Sequence, residues 1–342
     1  MRYTVSVIAT VKNEGQSMRR LLDSLVTQTR LPDEVIIVDG GSIDETRDIL
    51  REYAEAGHLP LRVLIREGSN IAEGRNAAIA AAQGQIIATT DAGVLLEPIW
   101  LEELLRPLEE VEDVAVVGGF FVPDPQTTFE IAMGATVLPT LSDIDPAKFL
   151  PSSRSVAYKK EAWASLDGYP EWLGYSEDVL FDLALRFRGY RFAFAPAAKV
   201  RFRPRSNLRA FWRQYRNYAM GDGVALLWTE RHLIRYGTYI VALPLLLAFA
   251  LTHHPLWWLA LALGAIFYTR APYRRLQPYL AGLPWSQKAL ALSLVPVIRV
   301  TGDLAKMAGY PLGLPQGLRN RARIETYLGP NACLRGIFPF RS

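Results

Sequence analysis

The chain has 342 residues and a mass of 38.3 kDa; half of it is hydrophobic and 21% is charged. This length suits two domains better than one. The charge is too low for a disordered chain, and a single cysteine, Cys333, excludes an internal disulfide. The net charge of +4 averages two unlike parts: residues 1–200 hold 19 Lys+Arg against 30 Asp+Glu, and residues 201–342 hold 19 against 4. An acidic globular part joined to a basic, apolar part fits a cytosolic domain attached to an anionic membrane surface. Nucleic acid is the weaker reading of the basic half, because long uncharged stretches separate its arginine clusters.

Met1-Arg2-Tyr3-Thr4 leads straight into the apolar run Val5–Ala9, which is too short for a signal-peptide core and lacks a cleavage site. The acidic part is therefore expected to stay in the cytosol. Val5 to Val11 is a short β-rich run, and Met18, Leu21, Leu22, Leu25 and Val26 then recur at helical spacing. Val35–Val38 reads as a buried strand ending in Asp39-Gly40-Gly41. Ser42 with Glu45 predicts a capping box for a helix through Ile49, Leu50 and Tyr53 to Gly57. Leu61–Ile65 is a strand, Asn70 with Glu73 opens a helix ending at Gly84, and Gln85–Thr90 is a strand ending at Asp91. Pro98 opens a helix carrying Leu101, Leu104, Leu105 and Leu108, and Val114–Val117 is the next strand.

This alternation with short connections predicts an α/β fold with a parallel sheet covered on both faces. Ligands of such sheets bind beyond the carboxyl ends of the strands, where Asp39 and Asp91 stand. Residues 120 to 175 are irregular and rich in Pro, Phe and Trp. A helix over Glu177–Arg188, with Ser176 as its N-cap and Gly189 as its stop, precedes a strand over Arg191–Ala195.

From Tyr236 to Thr269 there is no Asp, Glu, Lys or Arg. Thr252-His253-His254-Pro255 splits this run into Tyr236–Leu251 and Leu256–Tyr268, each short of the about 20 apolar residues that a comfortable crossing needs. Arg231 and Arg235 before the run and Arg270, Arg274 and Arg275 after it favour a membrane hairpin with both ends cytosolic. A buried helical hairpin in a soluble domain is the alternative. Ala289–Val300, inside an apolar stretch over 286–312, is broken by Pro296 and Arg299 and fits the membrane interface better than a crossing. The domain boundary is placed at 225, with residues 1–225 catalytic and 226–342 membrane-associated.

Several carboxylates could carry chemistry. Asp39 precedes Gly40-Gly41-Ser42, where glycines allow close backbone approach and a helix start adds positive potential, a pattern suited to a phosphate or nucleotide. Asp91-Ala92-Gly93 ends a strand and could hold a divalent cation bridging phosphates, or simply close the strand. Glu177-Asp178 opens a helix, where acids often only complement the dipole; alternatively one of them is a general base. There is no Walker A motif, no G-x-G-x-x-G after the first strand, no H-E-x-x-H and no Cys/His cluster; His58, His232, His253 and His254 are scattered.

The motifs Val7-Ile8-Ala9-Thr10-Val11-Lys12-Asn13-Glu14, Asp39-Gly40-Gly41-Ser42-Ile43-Asp44, Gly74-Arg75-Asn76, Thr90-Asp91-Ala92-Gly93, Gly168-Tyr169-Pro170 and Ser176-Glu177-Asp178 occur in an order that resembles the family-2 glycosyltransferases. The resemblance spans residues 3–225 and implies an inverting enzyme of GT-A, Rossmann-like fold followed by hydrophobic C-terminal helices. It implies that Thr10, Lys12 and Glu14 line the nucleotide pocket, that Asp39 meets the donor base, commonly uracil, and that Arg75 lies near the ribose or diphosphate. It further implies that Asp91 binds the sugar nucleotide and a metal, Mg²⁺ or Mn²⁺. Asp178 becomes the base that deprotonates the acceptor, and Glu177 orients acceptor or loop.

Gly93 stands where the family's D-x-D motif has its second Asp, which makes metal dependence an open point. Arg213-Gln214-Tyr215-Arg216-Asn217-Tyr218 only approximates the Q-x-x-R-W of processive members; Arg213, Gln214 and Arg216 are candidate diphosphate contacts in a non-processive enzyme. The resulting expectation is a cell-membrane glycosyltransferase with a cytoplasmic catalytic domain. It would use a nucleotide sugar, expected to be a UDP-sugar, and a lipid-linked or membrane-proximal acceptor, in cell-envelope glycan or glycolipid synthesis. A polyprenyl-phosphate glycosyltransferase and a non-catalytic nucleotide-sugar-binding protein are the alternatives.

Overall fold

The computed structural model describes residues 2–329; Cys333 lies outside them. In chain order the α/β elements begin with β1 (Val5–Val11), α1 (Ser17–Val26), β2 (Glu34–Asp39), α2 (Thr46–Ala56), β3 (Leu61–Ile65), α3 (Ile71–Ala81) and β4 (Ile86–Thr89). They continue through β5 (Leu95–Leu96), α4 (Trp100–Glu110), β6 (Val114–Pro123), α5 (Thr128–Val137), β7 (Val156–Lys159), α6 (Lys160–Ala164), α7 (Glu177–Phe187) and β8 (Arg191–Phe202). Helices follow: α8 (Leu208–Val224), α9 (Thr229–Tyr236), α10 (Leu243–Thr252), α11 (Leu256–Leu280), α12 (Trp285–Arg319) and α13 (Arg321–Leu328).

Packing divides the described chain into an α/β unit, residues 2–122, 141–202 and 323–329, and a helical unit, residues 123–140 and 203–322. The α/β unit is built on one sheet of 8 strands in the order β3-β2-β1-β4-β7-β6-β8-β5. It is a Rossmann-like core, as the alternating pattern predicts, but the sheet is mixed and not wholly parallel. β3, β2, β1 and β4 run parallel, while β7 pairs antiparallel with both β4 and β6. Strand and helix go on alternating after β4, but the pairing there turns antiparallel, and β7 comes out of the stretch that reads as irregular. All six residues of β2 are buried, as a strand covered on both faces requires. One face packs Leu21, Leu25, Leu101, Leu104 and Leu105 against Val7, Val35 and Ile37.

Two expected caps are absent. Ser42 accepts a bond from the backbone amide of Asn13 at 2.9 Å instead of capping α2, which begins at Thr46. Ser176 adopts φ +63° and makes no side-chain cap to α7. The Asn70/Glu73 capping box on α3 is present in both directions.

In the helical unit α12 packs chiefly on α8 and also on α5. Gly309, Gly313 and Gly317 of α12 bring backbone against backbone: a methyl there would strike the carbonyl oxygens of Arg216, Met220 and Gly223 respectively. Spacing by four places all three on one helical stripe. Phe211, Leu276, Val295 and Ile298 fill the adjoining core. Pro296 and Arg299, expected to break the apolar stretch, both lie inside the 35-residue α12.

The apolar run turns at His253-His254-Pro255 as the sequence predicts, between α10 and α11. Thr229–Thr252 is the one helical stretch among the described residues long and apolar enough to cross a membrane, with a mean hydropathy of 1.7 over its best window. The apolar side chains of the hairpin are not packed into a core: Leu245 and Leu251 of α10 are 51% and 73% exposed, and Leu256 and Ile266 of α11 are 67% and 64% exposed.

Candidate active site

Because β1, β2 and β4 are parallel, the residues that follow them leave the sheet at one edge. That topology gathers Thr10–Glu14, Asp39 and Asp91. Asn13, at φ +57°, ties the loops after β1 and β2 together: its side-chain oxygen accepts from the Ile43 amide at 2.9 Å. Thr46 Oγ1 accepts from the amides of Glu14 and Gly15 at 3.0 and 2.9 Å.

Asp39 is fully enclosed. Its Oδ1 accepts from the Gly41 and Ser42 amides at 2.8 and 2.7 Å, and its Oδ2 from Arg47 Nε at 2.6 Å. Burial pushes this carboxyl up, but Arg47 and the two amides outweigh burial and hold it below the ordinary aspartate range.

Gly74 lets α3 lie against the end of β1, since a Cβ there would come within 2.8 Å of Thr10 Cγ2. The next residue, Arg75, is thereby aimed into the cleft, where its side chain is only 5% exposed. One arm donates to Glu177 Oε1 at 2.7 Å and the other reaches Asp91 Oδ1 at 3.3 Å. Burial and the neighbouring Asp178 push the Glu177 carboxyl upward, against the pull of Arg75. Asp178 beside it stays partly exposed, its Oδ1 accepting from the Val179 amide at 2.9 Å. The buried ion pair thus fixes the start of α7 and leaves the second carboxylate partly exposed beside it.

Asn76 holds the loop before α7. It donates to the Tyr169 carbonyl at 2.9 Å and accepts from the Tyr169 amide and Trp163 Nε1 at 2.8 and 3.0 Å. Gly168, at φ +91°, makes that approach possible, because a Cβ would come within 2.7 Å of Asn76 Oδ1. Arg154, just before β7, places Nε 3.5 Å from Asp91 Oδ2 and lies over the rings of Phe202 and Phe121. Sequence reading missed Arg154, Arg47 and Asn76 as site residues. Asn76 follows the arginine of a quoted motif; Arg154 sits in an irregular stretch with no signal to mark it.

Gly93 has φ +71°, and a Cβ there would lie 3.0 Å from Glu14 Oε2. Glu14 therefore brings a carboxylate close to the position where the D-x-D pattern has its second acid. No group of three or more acidic, His or Cys side chains forms a preformed metal cage among the described residues. Asp91, 35% exposed, fits a cation shared with substrate phosphates, because Mg²⁺ needs only one or two protein carboxylates in that arrangement. Lys12 is exposed at the rim. Arg213, Gln214 and Arg216 lie on α8 in the helical unit, where Gln214 donates to Tyr218 Oη at 2.7 Å.

Residues 6–165 match the model of Glycosyl transferase family 2, and residues 148–298 match that of Glycosyl transferase family group 2. The chain belongs to glycosyltransferase family 2. It is 35% identical over 112 residues to EpsH of Bacillus subtilis (strain 168), covering 33% of this chain and 32% of that protein. It is 26% identical over 251 residues to the hyaluronan synthase of Pasteurella multocida, covering 72% of this chain and 24% of that enzyme. The chain spans about half the length, or less, of the curated relatives it matches. The solved structure of the mannosyltransferase PcManGT from Pyrobaculum calidifontis, in complex with GDP-Man and Mn²⁺, superposes with a TM-score of 0.57 at 21% identity. That superposition covers 92% of this chain and 88% of the other, and establishes the shared GT-A fold.

Proposed function

We propose that this family 2 chain is a membrane-attached inverting glycosyltransferase that moves a sugar from a nucleoside diphosphate sugar to an acceptor presented at the membrane. The observation that carries the reading is the linked set Asp91–Arg75–Glu177 with Asp178 left accessible beside it. In the proposed reaction the acceptor oxygen attacks the anomeric carbon and its proton passes to Asp178. The bond from that carbon to the diphosphate breaks in the same step, with inversion. Asp178 suits the base because it is accessible, while Glu177 is held by Arg75 and serves to position it. Arg75 and Arg154 supply fixed positive charge near Asp91, where the leaving diphosphate gathers negative charge. Asp91, with Glu14 nearby, would hold a Mg²⁺ or Mn²⁺ ion, which supplies charge neutralisation to the leaving group when bound.

Membrane attachment is supported by the exposed apolar stretch Thr229–Thr252 and by the arginines that flank the hairpin. By the positive-inside bias those arginines favour a cytoplasmic position for the α/β unit. A lipid-linked hydroxyl compound is then the favoured acceptor class. A lipid phosphate is the second reading, favoured by the basic charge of residues 201–342. Calorimetric titration of the full chain with UDP- and GDP-sugars, followed by transfer to a membrane lipid extract, tests the proposal. Saturable donor binding and inverted product support it; absence of binding by every donor overturns it.

A further inference from the structure

The helical unit encloses a charged cluster that the proposed reaction does not use. Asp303 of α12 accepts from Arg235 Nε at 2.8 Å, from Tyr268 Oη at 2.5 Å and from Tyr239 Oη at 3.2 Å. One carboxylate is thus satisfied by one arginine and two phenols. The same face of α12 carries two more cations, one turn before and one turn after Asp303: Arg299 and Lys306. Arg299 lies over the Tyr268 ring at 4.9 Å, and its Nε is sealed from solvent with no hydrogen-bond partner among the described residues. Lys306 lies over the Tyr215 ring at 5.1 Å. Burial, with Arg235 and Arg299 nearby, pushes the Lys306 ammonium down to about 8 against the opposing pull of Asp303 and Asp222.

Charge does not balance here. Arg235, Arg299 and Lys306 face two carboxylates: Asp303, which already has its partners, and Asp222, which stands 3.5 Å from His232 and also pulls on Lys306, so one positive charge is in excess. Cations partly withdrawn from water and in excess of their counter-charges are costly, and a phosphate oxygen is the acceptor that Arg and Lys together match best. The surroundings specify the rest of the ligand. α10 and the first half of α11, joined to this cluster through Tyr239 and Tyr268, present exposed leucines, Ile266 and Phe267. A ligand with a phosphate head and an apolar tail meets both surfaces.

We propose that Arg299 and Lys306, with Arg235, form a binding site for the phosphate head group of a membrane lipid in the helical unit. The site rests on the membrane reading above, but it does not depend on which acceptor the α/β unit uses. Phosphate is the shared chemistry, and the source is a lipid in preference to free phosphate.

The test uses the full chain in detergent, titrated with vesicles of phosphatidylcholine alone or phosphatidylcholine containing phosphatidic acid, with inorganic phosphate as competitor. The wild type is expected to prefer the phosphatidic acid vesicles, and Arg299→Gln/Lys306→Gln to lose about tenfold of that preference. Arg299→Lys with Lys306→Arg retains the charges and is expected to restore it. Arg51→Gln, an exposed cation on α2 of the α/β unit, is expected to leave the preference in place. Donor affinity by calorimetry should be equal in all variants, which reports that each is folded. An unchanged preference in the double variant overturns the site, and full displacement by inorganic phosphate overturns the lipid source. Failure to bind any vesicle overturns the membrane reading itself.

Discussion

Arg75 and Glu177 stand 102 positions apart in sequence and meet at 2.7 Å, with side chains only 5% and 7% exposed. Through the second arm of Arg75 the contact extends to Asp91 at 3.3 Å. One buried guanidinium therefore links the strand end of β4 to the helix start of α7, which are the donor and acceptor sides of the proposed reaction. The Coulomb attraction of Glu177 and Asp91 outweighs the burial of Arg75 and keeps it charged.

Removing one partner of such a pair strands the other. Arg75→Ala should cost about 3–5 kcal/mol of stability, since Glu177 is left buried without its counter-charge. Arg75→Lys should recover only part of that loss, because a single ammonium cannot span Glu177 and Asp91 together. Denaturant unfolding of the two variants measures both. Equal stability of wild type and Arg75→Ala would remove this pair from the folding account.

Asp39 sets an acid limb. Its carboxyl is held below the ordinary range, so it binds fewer protons folded than unfolded. Its contribution is present above the ordinary aspartate range and is lost as pH falls through its depressed value. Asp39→Asn should cost about 2 kcal/mol near neutral pH, the worth of charge-assisted bonds to Arg47, Gly41 and Ser42. The two proteins should converge at acid pH. Unfolding midpoints across the acid range report this. Glu177 has the opposite sign: its raised carboxyl favours folding below the ordinary glutamate range, and that part is lost as pH rises through its raised value.

Gly313→Ala tests the helical unit. A methyl at this position collides with the Met220 carbonyl of α8, so the helices must separate. The expected loss is about 1–3 kcal/mol, in the range of overpacked cores. Gly264→Ala on α11 meets nothing within 4 Å and should be neutral or slightly stabilising in thermal unfolding.

Asp91 carries the cation question. Donor binding should weaken by about tenfold or more on chelation, and Asp91→Asn should show the same loss with little further effect of chelator. Glu14→Gln should lose part of the cation dependence, since its carboxylate faces the space beside Gly93. Calorimetry with and without Mn²⁺ separates these outcomes.

Much of the α/β half was legible in sequence because its signals are local. β3 matches the expected strand residue for residue, the Asn70/Glu73 box caps α3, and Gly57 and Gly189 take positive φ just beyond the helices they close. Antiparallel β7 was not legible, since four residues between a loop and the short helix α6 carry no period. The Ser42 box failed for a physical reason: the hydroxyl has a competing donor, the Asn13 amide, supplied by another strand end. Arg75 could be singled out from its motif, but its partner could not, because only the fold brings residue 177 to residue 75. The α8–α12 contact was written in Gly309, Gly313 and Gly317, a spacing that only gains meaning once both helices are known.

The measurement that tests the central claim most directly is sugar transfer by the purified full chain and by Asp178→Asn, with donor affinity followed in parallel. Wild type is expected to form an inverted product, and Asp178→Asn to lose about 10²–10⁴-fold in turnover, the range of a general base, while binding donor as wild type does. Turnover of Asp178→Asn at the wild-type rate would contradict it.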